Sequence, residues 1–274
     1  MSGRWLAIKV EPSLGPQAVV DALFSAGAQG VQEQGSAIIT HFPPGTRTAD
    51  IEAAILAADA GASIVFGPAP EVNWSEWRAS VVEHRLGRIT ISPPWIIPDD
   101  ESIVVTIDPA MAFGTGEHAT TRGVVRLMQR IEQMPARVAD LGAGSAVLAI
   151  CAAKLGAERV AAIELDPDAI GNAEENVAVN GVADRVTVVE GDAAVLLPLV
   201  APVGLVLANI ISSVLLQLLP VIAASLTPDG RAILSGILEE ERGMMTDAIG
   251  EAGFVVDRED LEDNWWSVLI ARPR

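Results

Sequence analysis

The sequence predicts two domains of different build. A small α+β domain of ferredoxin-like type spans residues 1–91, a linker spans 92–102, and an α/β domain spans 103–274. The second domain is expected to hold a doubly wound, mostly parallel, seven-stranded sheet of Rossmann-like kind. Three observations carry this. The first seventy residues read strand, helix, two strands, helix, strand, the order of two split βαβ units. From Ile103 onward, apolar strands alternate with helices, as in a parallel sheet covered on both faces. The run "DLGAGSAVLAI", residues 140–150, puts a glycine-rich turn between a strand and a helix, where open α/β sheets bind nucleotides.

The elements follow in order. "RWLAIKV", residues 4–10, is a strand. Ser13 is expected to cap a helix that runs to Ala26 and stops at Gly27. "GVQEQGSAIITHF" is a hairpin turning near Gln34-Gly35. "TADIEAAILAADAG" is a second helix and "ASIVFGPAPEVN" another strand. Residues 73–102 contain Trp74, Trp77 and Trp95 and read as a short helix, one strand and an extended linker stiffened by Pro93, Pro94 and Pro98. "SIVVTI" is an edge strand and "HATTRGVVRLMQRIEQM" a helix. Strands at "ARVADLG", "RVAAIELD", "RVTVVEGD", "VGLVLAN" and "RAILSG" follow, separated by helical runs. "FVVDREDLEDNWWSVLIAR" closes the chain as two strands turning near Asp263-Asn264, one of them antiparallel.

Composition narrows the function classes. The chain has 274 residues, half of them hydrophobic, enough for a large core. A single Cys151 in an apolar helix excludes a disulfide framework and a cysteine metal cluster. The first residues carry no long apolar run, so no signal peptide is read and a reducing cytoplasm is expected. The apolar stretch at 203–226 contains Asn209, Gln217 and Pro220 and reads as a buried strand followed by a helix from Ser212, not as a membrane span. The formal net charge is −18, most of it after residue 91. Such a field repels phosphate backbones and favours a basic partner, such as a Lys-rich protein.

The glycine turn departs from a dinucleotide fingerprint. Gly142 and Gly144 fit, but Val147 stands where a third glycine belongs. Asp140, at the strand end, is awkward beside a pyrophosphate and suits a cationic ligand. Glu164 ends the next strand, where an acidic residue can take both ribose hydroxyls. Asp192 ends the strand after that, in place for an adenine amino group. Three carboxylates at three consecutive strand ends suit an adenosine with a positively charged amino-acid tail, and S-adenosylmethionine is such a molecule. Asp166 and Asp168 read equally well as helix caps.

At "DPAMAFGTGEHATT", "DLGAGSAVLAI", "AIELDPDAI" and "ANI" the chain resembles the ribosomal protein L-eleven methyltransferases, bacterial class I enzymes that methylate amino groups of that protein. The resemblance implies S-adenosylmethionine as cofactor, and Lys side chains or the N-terminal amine of ribosomal protein L-eleven as acceptors. By the same resemblance Thr121 contacts the cofactor, Gly142 approaches its methionine part beside Gly144, and Glu164 binds the ribose where Asp is usual. Asn209 lies near the transferred methyl and Asp192 near the adenine. Phe113, Gly114, Thr115, Gly116 and His118 belong to the loop over the site. His118 is read either as a general base, since histidine titrates near neutrality, or as a stabiliser of its own turn. The chain departs from the family in having Ala146 for Gly, Ala143 for Cys or a similar residue, and Ala119 for Pro. Other readings are a methyltransferase for another protein's lysines or for a small molecule, a dinucleotide oxidoreductase disfavoured by Val147 and Asp140, and a non-catalytic binding module.

Overall fold

The structure, a computed structural model, describes residues 5–28, 30–43, 45–68, 81–99, 102–108, 114 and 116–273. It divides into two compact units, Met1–Ala79 and Ser80–Arg274.

In the first unit, β1 (Leu6–Glu11), α1 (Pro16–Ser25), β2 (Val31–Gln34), β3 (Ala37–Phe42), α2 (Thr48–Ala58) and β4 (Ser63–Pro68) follow one another. The sheet order is β2-β3-β1-β4 with every pair antiparallel, the expected ferredoxin-like arrangement. Period-two patterning sets the buried face of β1, where Ile8 and Val10 point inward while Lys9 and Glu11 stay in water. Val19 and Leu23 of α1, and Ile51 and Ile55 of α2, stand four apart and cover that face. Ser13 does not cap α1. Gly15 occupies the cap position and Pro16 opens the helix. Ser13 instead donates its hydroxyl and its backbone N–H (2.6 Å) to the carboxylate of Asp59, which is buried at the end of α2.

The second unit begins with β5 (His84–Leu86), β6 (Ile89–Ser92) and β7 (Ile103–Thr106), which form a separate three-stranded sheet. The sequence reads residues 92–102 as an interdomain linker and Ile103 as the start of an edge strand of the large sheet. Both readings need correction. β5 and β6 form a hairpin over Gly87-Arg88, and β6 pairs in parallel with β7. Parallel neighbours need a crossover, and the proline run supplies it inside the second unit. Prolines mark where strand pairing stops; they do not say which sheet the flanking strands join. The helix expected near Trp74, Trp77 and Arg78 lies outside the described residues.

The large sheet is built from α3 (Ala119–Met128), β8 (Arg137–Leu141), α4 (Val147–Lys154), β9 (Arg159–Glu164), α5 (Pro167–Val179), β10 (Val186–Glu190), α6 (Ala193–Val200), β11 (Val203–Asn209), α7 (Ser212–Ser225), β12 (Leu226–Leu238), α8 (Arg242–Glu251), β13 (Val255–Glu262) and β14 (Trp265–Ala271). Its seven strands run β10-β9-β8-β11-β12-β14-β13, with β14 antiparallel to both neighbours and the first five parallel. Alternate residues of β11 serve opposite faces. Leu205 and Leu207 face a core shared with α3, α4 and α5, while Val206 and Ala208 face one shared with α7 and α8. The stretch 203–226 divides into strand and helix as the sequence predicts, and among the described residues no helix is long and apolar enough to cross a membrane. The chain leaves β8 in one direction for β9 and β10 and returns on the other side through β11 and β12. That reversal between β8 and β11 is the topological switch point where such sheets bind ligands.

Candidate functional site at the switch point

The turn after β8 is held in an unusual backbone. Gly142 (φ +68°), Gly144 (φ +51°) and Ala146 (φ +63°) are all left-handed. The N–H groups of Gly142 and Ala143 both donate to Ile163 O, at 2.9 and 3.1 Å. Gly144 N–H donates to Glu164 Oε2 at 2.6 Å. Ser145 Oγ donates to Gly114 O, and Asn176 of α5 donates to Ser145 O. A side chain at Gly142 would put its Cβ 2.6 Å from Ile210 Cγ2. Only glycine therefore lets the β8 turn and the segment after β11 meet.

Ala146 carries the one left-handed φ in this turn that is not a glycine's. A left-handed L-residue costs about 1–2 kcal/mol, and loss of one buried methyl costs about as much. Ala146→Gly should therefore leave the midpoint of thermal unfolding within a few degrees of wild type. Ala146→Val adds β-branching to the same φ in a fully buried site and should cost about 2 kcal/mol or more. Equal melting of the two variants would show that the left-handed turn is not under strain.

Three acidic residues stand at successive strand ends, but in different states. Asp140 of β8 is fully buried; Oδ2 accepts from Ala149 N–H of α4 at 2.9 Å, and Oδ1 has no partner. Burial pushes this carboxyl up to about 7, with the Ala149 hydrogen bond opposing and the charge of Glu164 adding. The sequence reads Asp140 as a strand-end carboxylate suited to a cationic ligand, and the structure encloses that carboxyl against α4. Glu164 of β9 accepts from Gly144, and its Oε1 accepts from Leu165 and Asp166 N–H at 2.8 and 2.9 Å. Asp192 is exposed and caps α6 through Ala194 N–H; Asp166 caps α5 in the same way.

Across the switch point, Asn209 ends β11 and its Nδ2 donates to Thr121 Oγ1 at 3.3 Å. Thr121 is fully buried in the first turn of α3. His118 caps that helix; its Nδ1 lies 2.7 Å from Thr120 Oγ1 and accepts from Thr120 N–H, and its ring meets Trp265 edge-on at 5.0 Å. Burial lowers the His118 imidazole below its usual range, Arg122 adds to the fall, and Asp263 opposes it. The outer face of α3 is pinned to the last hairpin. Arg126 Nε donates to Asp260 Oδ2 at 2.8 Å and Arg122 Nε to Glu262 Oε1 at 2.9 Å.

The structure thus gathers Asp140, Gly142, Gly144 and Glu164 around one turn, with Asn209 and Thr121 in contact beside it. Phe113 and Thr115, which the sequence assigns to the covering loop, lie outside the described residues. Asn176, Ser235 and Gly236 escape sequence reasoning. The single available signal is Gly236 inside a strand, which points to a bulge or a close backbone approach.

Sheet order, switch-point turn and antiparallel penultimate neighbour together define the class I methyltransferase fold. The family model described as ribosomal protein L11 methyltransferase matches residues 17–273, and the chain belongs to that family. A curated relative of that name from Desulfitobacterium hafniense is 41% identical over 206 residues, 74% of this chain and 65% of the relative. One from Heliobacterium modesticaldum is 38% identical over 74% of this chain and 64% of its own length. The match spans just under two thirds of both relatives. A crystal structure of ribosomal protein L11 methylase from Lactobacillus delbrueckii subsp. bulgaricus superposes with a TM-score of 0.64 at 32% identity, covering 70% of this chain and 99% of that one.

Proposed function

We propose that this chain is an S-adenosylmethionine-dependent methyltransferase acting on amino groups of ribosomal protein L11, on Lys side chains, the N-terminal amine or both. One observation carries the reading most directly: Asn209 and Thr121 meet at the switch point beside the glycine turn. Family membership and the names of the relatives support the substrate. The residues present suit the cofactor. The left-handed glycine turn lets the backbone approach a ligand closely, the buried Asp140 oxygen lacks a partner, and Glu164 offers oxygens already oriented by three N–H donors.

The cofactor supplies a methyl group already activated on a sulfonium, and the chain's part is positioning. The acceptor needs a neutral lone pair, whereas a Lys amine has a reference pKa of about 10.4 and an α-amine one near 8. Removal from water lowers both values, so the acceptor ammonium gives up its proton to solvent before transfer. Asn209 uses its Nδ2 on Thr121, which leaves its side-chain oxygen to accept from the amine. The Ile210 carbonyl is the second acceptor. His118 serves as the α3 cap that fixes Thr121, a role its neutral ring suits. The net charge of −18 complements a Lys-rich protein and disfavours nucleic acid. A ribosomal substrate places the reaction in the cytoplasm.

The test offers the purified chain a labelled methyl donor and total ribosomal proteins, with the label located by mass spectrometry. Label on L11 amino groups supports the proposal; label on a metabolite and on no protein overturns the substrate. Asn209→Ala should lower kcat by about 100-fold, the size of effect expected when reacting groups lose alignment. Cofactor affinity should change little.

A further inference from the structure

We propose that Ser235 and Gly236, at the carboxyl end of β12, are the positioning pair on which both halves of the methyl-transfer site are set. The proposal rests on the methyltransferase reading above. Ser235 is fully buried and pairs with Asn209 across the sheet. Its backbone oxygen accepts from Ile210 N–H at 3.1 Å, which holds the segment after β11. Its hydroxyl lies 3.3 Å from Thr120 O, in the first turn of α3, and donates to it. Ser267 of β14 supports that hydroxyl at 2.7 Å. Asn209 and Thr121, the residues next to these two anchor points, are the ones that meet at 3.3 Å. One serine thus ties the α3 turn and the acceptor segment to a common point.

Gly236 completes the device. It has φ +83°, and a Cβ there would fall 2.5 Å from Ile210 O, 2.8 Å from Ile210 C and 3.1 Å from Ile210 N. Those are backbone atoms, which cannot step aside as a flexible side chain does. The pairing of β12 with β14 shifts register between Leu234 and Ile237, so Ser235-Gly236 forms a bulge at the strand's end. A bulge re-aims the chain locally and is common beside active sites. On its other side, the Ile210 side chain presses where a Cβ at Gly142 would sit. Ile210 is therefore held between two left-handed glycines, one against its backbone carbonyl and one under its side chain. Its carbonyl, the second acceptor for the amine, has its position fixed by Gly236.

The test compares Ser235→Ala, Ser267→Ala and Gly236→Ala in the full chain. Cofactor affinity comes from calorimetry, stability from urea unfolding, and kcat and KM from methylation of L11. Ser235→Ala cuts the tie to Thr120 at nearly constant volume. It should lower kcat at least tenfold with cofactor affinity within about threefold, as misalignment without loss of binding does. Ser267→Ala removes a buried hydroxyl of the same pair but leaves the Thr120 tie, so kcat should stay within about threefold. A merely structural serine pair would make the two variants equivalent in every readout. Gly236→Ala, where it folds, should lower kcat and raise KM for the protein substrate together. An active wild type whose Ser235→Ala variant keeps full kcat, or whose Ser267→Ala variant loses as much, overturns the positioning role alone. A wild type that binds cofactor and transfers no methyl overturns the reading beneath it, and the proposal with it.

Discussion

Asp140→Asn is expected to make the ligand-free protein more stable at pH 8 while weakening its grip on cofactor. The native carboxyl has been pushed up to about 7 by burial, against an ordinary value of 3.8. Between these two values the folded state holds a proton that the unfolded state has released. Stability therefore falls as pH rises through that window and levels off above about 7. A shift of this size corresponds to on the order of 4 kcal/mol. Asn cannot ionise, so its advantage should be near zero at pH 4 and grow towards that upper figure by pH 8. Its amide NH2 inherits the position that leaves Oδ1 without a partner, which trims the gain. Urea unfolding at a series of pH values reads the difference between wild type and variant. Curves that stay parallel from pH 4 to 8 would mean that Asp140 titrates normally. Cofactor affinity, measured by calorimetry, should fall about tenfold, because even a carboxylate enclosed beneath the glycine turn attracts a cationic ligand, and such an attraction is worth more than about 1 kcal/mol at intermediate dielectric.

What the sequence disclosed follows from what local pattern can encode. Ile8 and Val10 alternate with Lys9 and Glu11, so β1 is legible, and the strand–helix alternation from β8 onward is legible for the same reason. The carboxylates at 140, 164 and 192 were visible because strand ends are visible. Their states were not. Asp140 is closed in by α4, and Glu164 is engaged by Gly144 from twenty residues earlier, which spacing alone does not reveal. Ser13 illustrates the same limit. A serine shortly before a helix reads as a cap, but Gly15-Pro16 starts α1, and Asp59, far along the chain, claims the serine. Ile103–Thr106 is unmistakably a strand, yet its partner is a property of topology, so local pattern assigns it to the wrong sheet. Ser235 was hidden most completely: a small residue in a buried strand looks like packing until its neighbours on α3 and β11 are seen. Ala146 was marked by its departure from the family, but its left-handed φ appears only in the fold.

Glu164→Ala should damage folding and cofactor binding together, and the two losses have separate causes. Glu164 is nearly buried, and its carboxylate accepts from the N–H groups of Gly144, Leu165 and Asp166. Hydrogen bonds to a charged acceptor contribute roughly 1.5–3 kcal/mol each, and three that share one carboxylate do not simply add. A loss of about 3 kcal/mol is expected, which lowers the unfolding midpoint by roughly 6–12 °C for a unit of this size. Glu164→Gln separates the causes. Its single oxygen can keep Leu165 and Asp166, but its amide then confronts the Gly144 N–H, donor against donor. Its stability should fall between the other two proteins, while cofactor affinity drops nearly as far as in Glu164→Ala. Glu164→Asp, one methylene shorter, can serve Leu165 and Asp166 without reaching Gly144, and should recover part of the stability. Calorimetry and thermal unfolding on the same samples decide the matter. If Glu164→Ala melts like wild type, the carboxylate does not hold the glycine turn. If it also binds cofactor like wild type, the end of β9 is not where the ribose is recognised, and the ligand must lie elsewhere along the switch point.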